Sequence, residues 1–268
     1  MTLRPGVARA RGLGLSFILN KDAVITSLNP ALAYDKRRKC RIRYAIGLHE
    51  SANYARKDRV VFGTLTYRPG VEWEPNHIRE FGNRLSKWLQ RHKVRSRMVW
   101  VAEMQERGAV HYHYALWVSR RLTVPMPDKQ GWWPHGITNV QYVKKSIYKY
   151  LSKYLTKPDN APKPKGLRSY GIVGLGEKSR DVLRVWTAPR WLQYCIKESA
   201  VIKKYGPYWI DLTEKKVYLG PFRCYGFEGG KGLIIENVGY ITVFRLEPGV
   251  PKSTPPRPIP KNQGAYQQ

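Results

Sequence analysis

Arg97-Met-Val-Trp-Val-Ala-Glu-Met-Gln105 and His111-Tyr-His-Tyr-Ala-Leu-Trp-Val-Ser119 are two apolar runs joined through Glu106-Arg-Gly-Ala109. Both are rich in β-branched and aromatic side chains, and Gly108 suits a tight turn, so the stretch reads as a β-hairpin. In a strand, residues two apart share a face, which brings His111 and His113 to one side about 7 Å apart at Cα. Glu103 and Glu106 are the only acidic residues between Glu80 and Asp128. With a three-residue turn, Glu103 is expected opposite His113 and Gln105 opposite His111. Two imidazoles and one carboxylate make a site for a divalent ion with open positions. The competing reading is plain cross-strand packing of the two histidines, with Glu103 paired to a neighbouring cation. Gln105 and Glu106 stay open as alternatives to Glu103 for the third ligand.

Working outward from the hairpin, Arg59-Val-Val-Phe-Gly-Thr-Leu-Thr-Tyr67 reads as a strand closed by Arg68-Pro69-Gly70. Asn76 to Lys93 carries Ile78, Phe81, Leu85, Trp88 and Leu89 at helical spacing, with Arg79, Arg84, Lys87 and Arg91 on the other face. After the Pro-, Gly- and Trp-rich loop Pro125 to Gly136 come a short strand, Ile137 to Val140, and a helix, Gln141 to Lys157, stopped by Pro158. The order strand, helix, hairpin, strand, helix predicts an α+β domain, an antiparallel sheet with helices packed on it.

The last helix holds a doubled Tyr-x-x-Lys, Tyr150-Leu-Ser-Lys153-Tyr154-Leu-Thr-Lys157. Tyr150 and Tyr154 lie one turn apart on the face of Val143, Ile147, Leu151 and Leu155, while Lys145, Lys149, Lys153 and Lys157 take the opposite side. Both tyrosines suit an amphipathic core face. Tyr150, however, sits at the edge of that face beside lysines able to hold phosphates and to favour phenolate over phenol. A metal ion and a tyrosine together suit phosphodiester transfer. The ion neutralises the phosphate and stabilises the leaving 3′ oxygen. The tyrosine stores the bond as a phosphodiester, and a second tyrosine can take over the link later.

Composition names the partner class. The 268 residues include 48 Lys+Arg against 19 Asp+Glu, a formal net charge of +29. Self-repulsion on that scale calls for a polyanion. A content of 12% aromatic residues favours unpaired nucleic acid, whose bases stack on rings. No stretch approaches the ~18 apolar residues of a membrane span, and the apolar run Leu13 to Leu19 lacks a signal-peptide cleavage site. The reading is therefore a cytoplasmic protein with no membrane partner. Cys40, Cys195 and Cys224 are odd in number and far apart, which suits reduced thiols.

The expected organisation is a basic segment over 1–57, dense from Lys36 to Arg43, then a catalytic domain over 58–175. An accessory region of undetermined arrangement follows over 176–247, and a Pro-rich disordered tail over 248–268. Residues 158–168 read as a linker.

These motifs resemble the HUH endonuclease superfamily, in particular the rolling-circle replication initiators of small single-stranded DNA phages and related plasmids. Phe62-Gly-Thr-Leu-Thr-Tyr67 is similar to the family's first motif. Glu103-Met-Gln-Glu-Arg107-Gly-Ala-Val-His111-Tyr-His113 is similar to its metal motif, and Tyr150 to Lys157 to its two-tyrosine motif. Leu167-Arg168-Ser169-Tyr170-Gly171 is a looser likeness. The resemblance covers about residues 60–175 and implies an HUH endonuclease-like core. It implies Mg²⁺ or Mn²⁺ held by His111, His113 and Glu103, nucleophiles Tyr150 and Tyr154 assisted by Lys153, and DNA contacts from Tyr67, Arg107, Lys149, Lys157 and Arg168. It does not fix which tyrosine cleaves first; Tyr150 is favoured. The implied partner is origin single-stranded DNA in a bacterial host cell. The motif Gly226-Phe-Glu-Gly-Gly230-Lys231-Gly232 is no Walker loop, so a host helicase and DNA polymerase are expected to help. Two other readings remain: a transposase of the same chemistry, and a non-catalytic protein that binds single strands.

Overall fold

The computed structural model describes residues 8–9, 16–17, 26–28, 30–53, 58–105, 108–143, 146–156, 163–226, 233–237 and 241–245. The chain divides into two compact units, 32–183 and 1–31 together with 184–268. The site residues lie in the first, built from α1 (Pro30–Ser51), β1 (Arg59–Tyr67), α2 (His77–Arg91), β2 (Met98–Met104), β3 (Val110–Val118), β4 (Gly136–Tyr142), α3 (Ile147–Thr156), β5 (Tyr170–Val173) and α4 (Glu177–Trp186). The strands form one antiparallel sheet in the order β4-β1-β3-β2-β5. This is the expected α+β architecture.

Strand β3 lies at the centre and is buried at all nine positions. Both sheet faces are covered there, so its sequence runs apolar without the alternation of a half-exposed strand. One face carries Leu65, Tyr67, Trp100, Tyr112 and Tyr114, and packs against Ile78, Phe81, Leu85 and Leu89 of α2. Trp132 and Trp133 from the Pro-rich loop complete that layer, with the Trp133 indole donating to the Thr66 carbonyl at 3.1 Å. The opposite face carries Phe62, Val99, Val101, Ala115 and Trp117 under Ile42, Ala45 and Ile46 of α1 and Ile147 and Leu151 of α3. Each such fully buried aliphatic or aromatic side chain contributes about 1.5–3 kcal/mol relative to exposure.

Three sequence expectations need correction. The basic run from Lys36 to Arg43 is not separate from the catalytic domain; it belongs to α1. Arg38, Ile42, Ala45, Ile46 and His49 recur at helical spacing and are buried, while Lys36, Arg37 and Arg43 stay outside. Charge density hid this apolar stripe. The helix expected from Gln141 begins at Ile147, because β4 runs on to Tyr142, pairing it with Val61. The hairpin register also differs: Glu103 pairs with His111, and Val101 with His113. The turn closes between Gln105 and Ala109, whose backbones hydrogen-bond at 2.9 Å, leaving three residues in the loop and shifting every partner by two.

In the other unit, antiparallel strands run in the order Thr242–Arg245, Lys216–Leu219, Tyr208–Asp211, Ile202–Tyr205, around a core of Leu192, Ala200, Ile202 and Tyr218. A second sheet joins Phe222–Gly226, Leu233–Asn237 and Thr26–Leu28. The proposed tail from 248 lies outside the described residues, as do 158–162 of the proposed linker. Among the described residues no helix is long and apolar enough to cross a membrane.

Candidate nucleophile and metal site

Cross-strand partners share a face of a sheet. The pairs Glu103↔His111 and Thr64↔His113 therefore place Glu103, His111, His113, Thr64 and Thr66 on one side, with Phe62 further along β1. That is the side on which α3 packs through Ile147 and Leu151. The imidazole pair and the tyrosine helix thus occupy the same face. The corrected register leaves this arrangement intact, since a shift of two residues keeps a side chain on its own face.

His113 is fixed at both ring nitrogens. Its Nε2 lies 2.7 Å from Glu103 Oε2, and its Nδ1 lies 3.2 Å from Thr64 Oγ1. All three acid and imidazole groups are buried: Glu103 is 7%, His111 8% and His113 4% exposed. The His111 and His113 rings are 6.3 Å apart at their centroids. Among the described residues no three His, Cys, Asp or Glu side chains stand together as a ready metal cluster. The donor types nevertheless fit a divalent ion: two neutral imidazoles and one carboxylate on a single buried face, with a hydroxyl orienting one ring from behind.

Phe62 links this cluster to the helix. Its ring stacks on His113 at 5.8 Å and 11°, and stands 5.7 Å from the Tyr150 ring. The imidazole and the phenol therefore share one aromatic neighbour. Tyr150 is half-buried against the α3-side core, and Lys149 beside it is exposed. Tyr154 and Lys153 lie on the same helix, but their side chains, and Lys157, Arg107 and Glu106 entirely, lie outside the described residues.

Two other candidates part company with the site. Tyr67 points to the α2 face, 3% exposed, with its hydroxyl 3.1 Å from His77 Nδ1. Arg168 is exposed ahead of β5, beside a groove on that same α2 face. Burial pushes the Tyr67 phenol well above its usual range, with Tyr112 and Glu74 adding to the shift. Burial likewise lifts Tyr112 to about 12, against a 2.7 Å hydrogen bond from the Trp73 indole. Neither strand phenol ionises readily, which leaves nucleophilic work to the helix. Thr64 was not singled out from sequence; its place opposite His113 becomes visible only once β1 is paired with β3.

What fold and site define together is an α+β domain built on a five-stranded antiparallel sheet, with an imidazole pair, a carboxylate and a tyrosine helix on one face. Residues 60–159, from β1 to just past the end of α3, match the family model of replication-associated proteins of the ORF2 type. Over that segment the chain is a replication-associated protein, in keeping with the rolling-circle initiators that its motifs resemble. Comparison with curated proteins and with solved structures gave no match.

Proposed function

We propose that the 32–183 unit nicks and rejoins single-stranded DNA at an origin, using Tyr150 as the first nucleophile. The observation that carries this reading is the shared face: Glu103, His111 and His113 on the sheet, and Tyr150 one aromatic ring away from His113. The Tyr150 oxygen bonds to phosphorus as the bond from phosphorus to the 3′ oxygen breaks. The leaving oxygen takes up a proton in exchange for the one the phenol gives up. The products are a 5′-phosphotyrosine and a free 3′-hydroxyl that can prime synthesis. Tyr154, one turn further along α3, would accept the link when the strand is rejoined.

His111, His113 and Glu103 would hold Mg²⁺ or Mn²⁺ in place of the present Glu103–His113 hydrogen bond. A bound ion supplies charge neutralisation on the phosphate and on the departing oxygen. Thr64 keeps the His113 ring at its angle, and Lys149 offers positive charge beside the phenol. The charge of the unit also supports a DNA substrate: residues 32–183 hold 31 Lys+Arg against 12 Asp+Glu, 31 − 12 = +19 of the chain's +29.

The test is incubation of the protein with labelled single-stranded DNA and Mn²⁺, followed by denaturing electrophoresis. A covalent adduct is expected, lost in Tyr150→Phe/Tyr154→Phe, and mass spectrometry of the trapped peptide assigns the tyrosine. Binding with no adduct under either ion would leave a non-catalytic single-strand binder. Excised elements in place of unit-length circles would identify a transposase.

A further inference from the structure

A groove of about 460 Å³ runs between α2 and β5, on the sheet face away from the histidines. Its floor is apolar, formed by Met98 and Trp100, and its lips are polar, with Arg79, Asn83 and Ser86 on α2 and Arg168 before β5. No Asp or Glu lines it. Other arginines of this unit are committed: Arg84 donates to the Gly131 carbonyl and to Glu80, Arg97 to Asp58, and Arg68 to the Pro134 carbonyl. Arg79 and Arg168 have no such partner among the described residues.

The groove is kept open by a particular residue choice. A Cβ at Gly171 would lie 2.3 Å from the Trp100 indole nitrogen, so the indole lies flat against the edge strand only because that strand has glycine there. Strand β5 is also the margin of the sheet, bonded to β2 alone. A strand of DNA leaving the histidine face therefore has only this short edge to round before it meets the groove.

We propose that the groove binds a nucleotide of the same single strand at a position outside the nick. Arg79 and Arg168 hold its phosphate, the floor of Trp100 and Met98 takes the base, and Asn83 and Ser86 offer hydrogen bonds to its edge. Two uncommitted guanidiniums over an apolar, aromatic floor suit phosphate and base together, which an acidic peptide would use only in part. The volume lies within the usual range for a small-ligand site. The assignment of the occupant as the nicked strand rests on the proposed function above.

The experiment measures binding of the full chain to single-stranded DNA against salt, using an oligonucleotide spanning the nick alone and one extended beyond it. Arg79→Ala/Arg168→Ala is expected to weaken the extended strand more than the short one. Its log–log salt slope should become shallower by about 0.7 per phosphate released from contact. Ser86→Glu, which places a negative charge on the wall without removing a guanidinium, should weaken the extended strand likewise, and Lys87→Ala, outside the groove on the same helix, should not. An unchanged slope in the folded double variant, equal losses on both oligonucleotides, or polyglutamate displacing the extended strand's added affinity as well as DNA does would overturn the proposal. Adduct formation by the wild type alongside an unchanged slope would remove the groove and leave the nicking chemistry standing. A shallower slope with no adduct under either ion would remove the nicking chemistry and leave the groove as a single-strand site.

Discussion

Glu103 is the cross-strand partner of His111, yet its carboxylate bonds His113, two residues further along β3. The diagonal leaves His113 gripped from both sides, by Glu103 at Nε2 and by the Thr64 hydroxyl at Nδ1. A hydroxyl in that place fixes the angle of a ligating ring without itself touching the ion. Thr64→Val keeps the shape and removes the bond. Losing such an orienting contact typically costs 10–100-fold in metal affinity, a fall of roughly that size being expected here. The cost in stability should be only about 1 kcal/mol. Calorimetric titration with Mn²⁺ checks the first and urea unfolding the second. Equal metal affinity in the variant would mean that Thr64 merely fills space.

The same diagonal separates the three acidic or amide candidates for the third ligand. Glu103 sits inside the β2–β3 ladder, facing the imidazoles, whereas Gln105 pairs at its mouth with Ala109. Glu103→Ala should therefore abolish measurable Mn²⁺ binding and adduct formation, and Gln105→Ala should leave both within a few-fold. The reverse ranking would move the ion toward the turn.

Much of this was legible in the residues, and the exceptions have physical reasons. The alternation of His111 and His113 across one intervening residue fixed their common face whatever the register. The partner of each histidine depended on where the turn closes, a matter of one hydrogen bond between Gln105 and Ala109. Tyr67 looked like part of the site because it ends the first motif, but residues 64 and 66 share the histidine face and residue 67 cannot. Helix α1 was obscured because six Lys and Arg residues between positions 36 and 43 mask a stripe that becomes apolar only from Ile42 onward. The strands after residue 200 are four or five residues each. Runs so short carry too few periods for a pattern to stand out.

His49 gives the 32–183 unit an acid-sensitive element. It is 1% exposed, its ring lies 4.6 Å from that of Trp117, and its carbonyl accepts from Arg97. Burial, reinforced by the charges of Arg97 and Arg95, pushes its pKa down to about 3 from 6.5. The unfolded chain therefore binds a proton that the folded chain refuses. The neutral form's contribution is complete above the unfolded value and declines as pH falls from there toward the folded one. By pH 5 the loss from this group is about 2 kcal/mol. In His49→Leu the drop in unfolding free energy between pH 7 and pH 5 should shrink by about that amount, read by tryptophan fluorescence in urea. An identical pH dependence in both proteins would place the acid sensitivity elsewhere.

Gly63 sits in β1 under the Tyr114 ring, where an added Cβ would stand 2.0 Å from Cζ of that ring. Tyr114 is fully buried and packed against Phe81 at 5.2 Å, so it cannot swing away freely. Gly63→Ala should destabilise the unit by about 1–3 kcal/mol, the usual cost of overpacking. The shift would be seen as an earlier urea midpoint with an unchanged slope. Because the ring lies on the α2 face, Mn²⁺ affinity of the folded fraction should not move. A variant as stable as the wild type would show that the ring has another place to go.

Phe62 is the residue through which the sheet and the tyrosine helix meet, with His113 at 5.8 Å on one side and Tyr150 at 5.7 Å on the other. Phe62→Ala would open a cavity costing about 3–5 kcal/mol, and any loss of activity would then be hard to separate from unfolding. Phe62→Leu keeps an apolar side chain in the core and typically costs less than about 1.5 kcal/mol, while removing the flat spacer. The distance between imidazole and phenol would then be free to change. A 1 Å misplacement of reacting groups is enough to cost on the order of 100-fold in rate. Single-turnover adduct formation at saturating Mn²⁺ should therefore fall by about that factor in Phe62→Leu, with metal affinity little altered. Undiminished turnover would mean that Tyr150 reaches the phosphate independently of its packing on the sheet.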